Sequence, residues 1–171
     1  MGLSFSDKDG KSVVFSAVAD HLKEKGLKVI NKDDQRPWGG FFVIDEEQAE
    51  RFIDTYFPDL NKEELLNGNK LSPKILVVQP QKRLSWQYHD RRKEVWKVIG
   101  GEAGVVRSMT DEETPLQTLY INKPIELKIG ERHRLVGLNS WGIVAEIWQH
   151  TDKSAPSDEN DIVRLQDDFG R

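Results

Sequence analysis

A change of hydrophobic period near Leu71 constrains this chain more than any other feature. Before it, apolar residues recur at helical spacing: Val13, Val14, Ala17, Val18 and Leu22 in one stretch, and Ala49, Phe52, Ile53, Tyr56 and Phe57 in another. Ser12 is placed to cap the first helix and Gly26 to stop it. Asp45 opens the second, and Pro58 lies beyond its end. A third helical turn starts at Asn61, with Glu64 in capping-box position and Gly68 as its end. From Leu71 onward the pattern becomes short strands: 74–79, 84–89, 95–99, 103–108, 116–121, 125–129, 133–138 and 142–149. Gly100-Gly101 and Asn139-Ser140 read as turns between strands. Strand, turn, strand at this interval predicts a mainly β barrel or sandwich dressed with N-terminal helices. The expected division is one domain over 1–171. It comprises a helical extension at 1–35, a helical insertion at 45–69, a barrel at 71–150 and a tail at 151–171 that packs back on the barrel.

Several function classes fall away on composition. The chain has no cysteine, which excludes disulfides, thiolate nucleophiles and thiolate metal sites. A net charge of -4 argues against an extended nucleic-acid surface, so any phosphate-binding cations must act locally. No run of about 18 apolar residues offers a membrane span. The N-terminal stretch lacks the cationic and apolar regions of a secretory signal, so a cytoplasmic location is expected. Gly2 with Ser6 superficially fits an acylation pattern that is common by chance.

The chemistry concentrates in LSWQYHDRRKEVWKVIGG, Leu84 to Gly101, and in GERHRL, Gly130 to Leu135. In an extended strand alternate side chains share a face, so Gln87 and His89 can enter one cavity. Glu94 follows a short charged break, with Trp96 and Val98 continuing on its face. Gln87, His89, Glu94 and His133 together offer an amide oxygen, two imidazoles and a carboxylate. Such a set suits Zn²⁺ or a similar first-row divalent ion, with a position left for water or substrate. By strand parity Arg91 also points inward, where a guanidinium cannot ligate a metal. The competing reading is therefore a metal-free polar pocket held by an Arg91–Glu94 ion pair.

Glu94, six intervening residues and Gly101 match the first motif of the cupin barrels, and Gly130, two residues and His133 match the kernel of the second. The chain more closely resembles the C-terminal cupin domain of type II phosphomannose isomerases. RPWG at Arg36 to Gly39, the two blocks above, and NDIVRLQDDFGR at Asn160 to Arg171 carry the likeness. The resemblance implies a jelly-roll fold. It also implies interconversion of mannose 6-phosphate and fructose 6-phosphate, with metal ligands at Gln87, His89, Glu94 and His133. Glu94, Arg92 and Arg134 become candidate catalytic groups, while Arg36, Lys97, Arg164 and Arg171 become candidate phosphate binders. Departures from the family pattern are Arg91 for a His, Val95 for a His, Lys128 for a Pro, Gly137 for an Asn and Phe169 for a Tyr. Two other function classes stay open. One is a non-catalytic cupin that binds a sugar phosphate or nucleotide sugar for a separate guanylyltransferase; the other is a different metal cupin enzyme. The expected partner is a small sugar phosphate, with no nucleic acid or membrane, and pairing as a homodimer is a further expectation.

Overall fold

The computed structural model describes residues 3–171; the acylation-pattern Gly2 lies outside the described residues. Helix α1 (Lys11–Glu24) buries Val14, Phe15, Val18 and Leu22 along one stripe, and Gly26 ends it at φ +71°. After a short 3-10 turn, α2 (Ala49–Tyr56) buries Ala49, Phe52, Ile53 and Tyr56. Phe52 is fully buried, so Phe52→Ala costs about 3–5 kcal/mol. The side chain of Asn61 caps α3 (Lys62–Leu66) by accepting from the Glu64 amide, as the spacing predicts.

Among the described residues there are nine strands: β1 (Val29–Arg36), β2 (Gly39–Ile44), β3 (Lys74–Val78), β4 (Trp86–Tyr88), β5 (Arg92–Ser108), β6 (Gln117–Leu119), β7 (Ile125–Leu127), β8 (Arg132–His150) and β9 (Val163–Gln166). They pair antiparallel in the order β1-β2-β3-β8-β4-β9. The long β5 lies beside β8 and carries β6 and β7. The fold is mainly β and of the cupin type. Period-two alternation divides the core between the two sheet faces. Ile75, Val77, Val95, Ala145 and Ile147 face the helices, whereas Leu76, Val78, Trp96, Val98 and Val144 fill the barrel.

Three expectations need correction. Ser12 does not cap α1, which already starts at Lys11 with Gly10 at its N-cap and no side-chain cap hydrogen bond. The extension at 1–35 is not helical throughout, because residues 29–36 form β1 and join the sheet. That strand is an edge whose residues are exposed or half-buried, so it carries little apolar alternation. The expected turns at Gly100-Gly101 and Asn139-Ser140 are also absent. β5 and β8 run through both sites, and the pairing shifts register twice, between Val98 and Gly100 and again between Gly101 and Ala103, where the partner jumps from Gly142 to Gly137. Gly101 sits at φ +64°, and a Cβ there would lie 1.7 Å from the Trp141 carbonyl oxygen, so only glycine fits.

Candidate metal centre

β4 brings Gln87 opposite His133 of β8, and β5 carries Glu94 in beside them. His89, Glu94 and His133 are all buried, and one ligand atom from each falls within 4.8 Å of the others. The two imidazole rings are 5.1 Å apart. Each ring is oriented from behind: Nδ1–H of His89 donates to the Asp161 carbonyl, and that of His133 to the Glu131 carbonyl, both at 3.0 Å. Both Nε2 atoms are thereby turned toward Glu94, at 3.3 Å for His89 and 3.7 Å for His133, the arrangement expected of metal-ligating histidines. His133 Nε2 and Glu94 Oε2 have no hydrogen-bond partner although both are buried. Orphaned acceptors of this kind fit a cation, and the three residues form a group that could hold a divalent metal.

Gln87 enters the same cavity, but its oxygen accepts from Ser85 Oγ at 2.6 Å and its NH₂ faces His89 Nε2 at 3.5 Å. Its amide oxygen is therefore turned from the triad, contrary to the expected ligand set. The expectation for Arg91 is also corrected. Its guanidinium points outward to the Ala155 and Pro156 carbonyls and toward Asp158. Parity does not carry across residues 89–92, because the chain bends at Asp90–Arg91. The Asp161 carboxylate fixes that bend by accepting both amides, at 3.1 and 3.0 Å. Arg92 takes the inward place instead. It is buried, donates to His89 Nε2 at 3.1 Å, reaches Glu94 at 3.5 Å and lies 3.4 Å over the Trp148 ring. It also donates to Ser157 Oγ and thus fastens the tail.

These charges set the carboxylates apart. Burial pushes the Glu94 carboxyl up, but Arg92, His89 and His133 outweigh it and hold the group well below its usual range. Glu146 of β8 is pushed up to about 7 by burial and then by the Glu94 charge, against weaker opposition from Lys74 and Arg92. Its two oxygens accept the indole N–H groups of Trp96 and Trp148, at 2.8 and 2.9 Å. The cavity, about 90 Å³, is lined by Gln87, Arg92, Glu94, His133 and Glu146 and rimmed by further cations. A larger hollow of about 380 Å³ between α3 and β7 contains none of the sequence-predicted site residues.

Among those cations, Arg36, Arg164 and Arg171 line the cavity as expected. Lys97 does not. Glu94, Trp96 and Val98 alternate inward, so Lys97 faces the helices and donates to the Tyr56 carbonyl. Arg134 is fully buried, and its three nitrogens donate to Leu84 O, Glu113 and Gln166, tying β8 to its neighbours. Glu146, Lys74 and Asp161 escaped sequence reasoning. Strand parity from Trp148 would have found Glu146, which stands two residues before it.

A family model described as mannose-6-phosphate isomerase C-terminal matches residues 45–167. The chain belongs to that family. The chain is 32% identical over 136 residues to the alginate biosynthesis protein AlgA of Pseudomonas aeruginosa, covering 80% of this chain and 22% of that protein. Against the mannose-1-phosphate guanylyltransferase of Escherichia coli it is 27% identical over 164 residues, covering 96% and 28%. The chain thus spans about a quarter of the relatives it matches. Among solved structures, tomato vicilin aligns with a TM-score of 0.53 at 17% identity, covering 78% of this chain and 35% of that one. The capsular polysaccharide assembling protein CapF of Staphylococcus aureus aligns at 0.52 and 12% identity, covering 82% and 34%. At such identities the likeness concerns the fold alone.

Proposed function

We propose that this protein is a sugar-phosphate isomerase of the phosphomannose type, interconverting mannose 6-phosphate and fructose 6-phosphate. The observation that carries the reading is the buried His89–Glu94–His133 group, of which Glu94 and His133 line a cavity rimmed by Arg36, Arg164 and Arg171. A divalent ion held by His89, Glu94 and His133 would polarise the oxygens at C1 and C2 of the sugar. The protein's own part is proton movement and positioning. With Glu94 in the ligand set, Glu146 is the carboxyl left to move a proton. It takes the proton from C2 of the aldose and returns it to C1, while a second proton passes from O2 to O1. The indoles of Trp96 and Trp148 fix both of its oxygens, so little reorientation accompanies the transfer.

A second reading is favoured by one contact: Arg92 already donates to the His89 lone pair that a metal would use. On that reading the chain is a metal-free cupin that binds a sugar phosphate or nucleotide sugar for a separate guanylyltransferase. Metal analysis of the purified protein, with a coupled isomerase assay after chelation and after Zn²⁺ or Mn²⁺ addition, separates the two. Metal-dependent turnover of mannose 6-phosphate supports the isomerase. Binding of mannose 6-phosphate without turnover under any ion establishes the second reading and overturns the first.

A further inference from the structure

Six cations line the cavity: Arg36, Lys74, Arg92, Arg134, Arg164 and Arg171. Four have a carboxylate close by: Asp33 for Arg36 at 2.9 Å, Glu94 for Arg92 at 3.5 Å, and Glu113 for Arg134 and Asp167 for Arg171 at 2.8 Å each. Among the described residues, Arg164 has no carboxylate within ion-pair distance, and it is exposed at the rim. Lys74 differs from all of these. Its side chain is only 14% exposed, yet among the described residues the one carboxylate within ion-pair distance is Glu159 at 3.8 Å, whose own side chain is 72% exposed, while Glu146 opposite it acts at longer range. Its ammonium otherwise rests 3.9 Å over the Trp148 ring and makes no hydrogen bond to the described residues.

The position follows from the sheet. Lys74, Leu76 and Val78 alternate toward the barrel interior, and Lys74 stands opposite Glu146 in the β3–β8 register. An ammonium carries three donors and loses much hydration on entering such a site. A solvated carboxylate at 3.8 Å and an indole face compensate that loss poorly, whereas a charge-assisted hydrogen bond to an anionic oxygen would do so well.

We propose that Lys74 is the inner anchor for the phosphate monoester of the ligand, displacing Glu159 when the ligand binds, with Arg164 completing the grip from the rim. The assignment rests on reading the cavity as a sugar-phosphate site and names the residue that Lys97 is not. It concerns binding and is independent of whether the bound sugar is isomerised.

The test is calorimetric titration of wild type, Lys74→Met and Lys74→Arg with mannose 6-phosphate, inorganic phosphate and unphosphorylated mannose, with near-ultraviolet circular dichroism as a check on folding. Lys74→Met should lose at least tenfold in affinity for mannose 6-phosphate and for inorganic phosphate, and Lys74→Arg should recover part of it. Affinity for mannose should not change. Unaltered phosphate affinity in Lys74→Met, an equal loss for mannose and its phosphate, or no phosphate binding by wild type would each overturn the assignment. If Lys74→Met misfolds, failure of the folded Lys74→Arg protein to hold phosphate more weakly than wild type also overturns it. A wild type that binds mannose 6-phosphate through Lys74 without turning it over sinks the isomerase reading and leaves the anchor standing.

Discussion

Arg92 stands where its guanidinium would compete with a metal ion for His89 and Glu94, and replacing Arg92 by methionine tests that competition. Arg92 lies 3.5 Å from Glu94, and both side chains are 3% exposed. At an effective dielectric of about 20 the attraction is roughly 5 kcal/mol, and removing one partner of a buried pair typically costs about 3–5 kcal/mol. Methionine keeps most of the volume over Trp148 but leaves Glu94 uncompensated. In chelator, Arg92→Met should therefore unfold about 3–5 kcal/mol more easily than wild type in urea. Zn²⁺ replaces the missing charge and takes the freed His89 nitrogen, so the variant should bind it about 10- to 100-fold more tightly, equivalent to about 1.4–2.8 kcal/mol. Zn²⁺ at 100 times its dissociation constant returns about 2.7 kcal/mol. The deficit should also shrink in acid. Glu94 is held below its usual range in wild type, so its pairing contributes stability above that range and loses it as pH falls. Urea unfolding with chelator and with Zn²⁺, together with calorimetric Zn²⁺ titration, measures all of this. An equal deficit in both buffers with unchanged Zn²⁺ affinity would refute the argument.

Other outcomes are expected at neighbouring positions. Arg91→His should leave Zn²⁺ and Mn²⁺ affinity within about twofold of wild type by calorimetry, because residue 91 points away from the triad. Asp161→Ala should weaken metal binding about 10- to 100-fold in the same titration, since it frees the bend that aims His89. Glu146→Gln should lower kcat of the coupled isomerase reaction about 10²- to 10⁴-fold while leaving metal content intact. The Asp168 carboxyl, lowered to about 2 chiefly by its hydrogen bonds from Arg83, supports the tail above the usual carboxylate range. That support is lost as pH falls toward about 2, so limited proteolysis with an acid-active protease should cut the tail faster there than at pH 5.

Much of this was legible from the residues. Helices α1 and α2 follow from apolar spacing, because their buried stripes are long enough to show a period, and the five-residue α3 follows from its Asn61 cap. His89, Glu94 and His133 could be grouped because motif spacing survives whatever the loops do. What escaped has local causes. Strand parity fails at Asp90 and Arg91, where Asp161, some seventy residues later, bends the chain; Arg91 and Arg92 consequently exchange roles. Glu146 was hidden because β8 is buried on both faces there, so apolar residues surround it without alternation. Lys74 opens a strand of four buried apolar residues and reads as a surface charge. The Gly100-Gly101 pair signals a turn and a bulge equally well, and only the pairing of β5 with β8 decides between them.

The tail also sets how the centre is aimed. His89 takes its orientation from the carbonyl of Asp161, the bend before Arg92 from that residue's carboxylate, and Arg92 its outer hydrogen bond from Ser157. Strands β3 to β8 pair with one another without residues 157–166, so the barrel and the aim of its site residues depend on different parts of the chain. Chains shortened before Ser157 should accordingly collapse into a barrel that neither loads metal nor recognises phosphate.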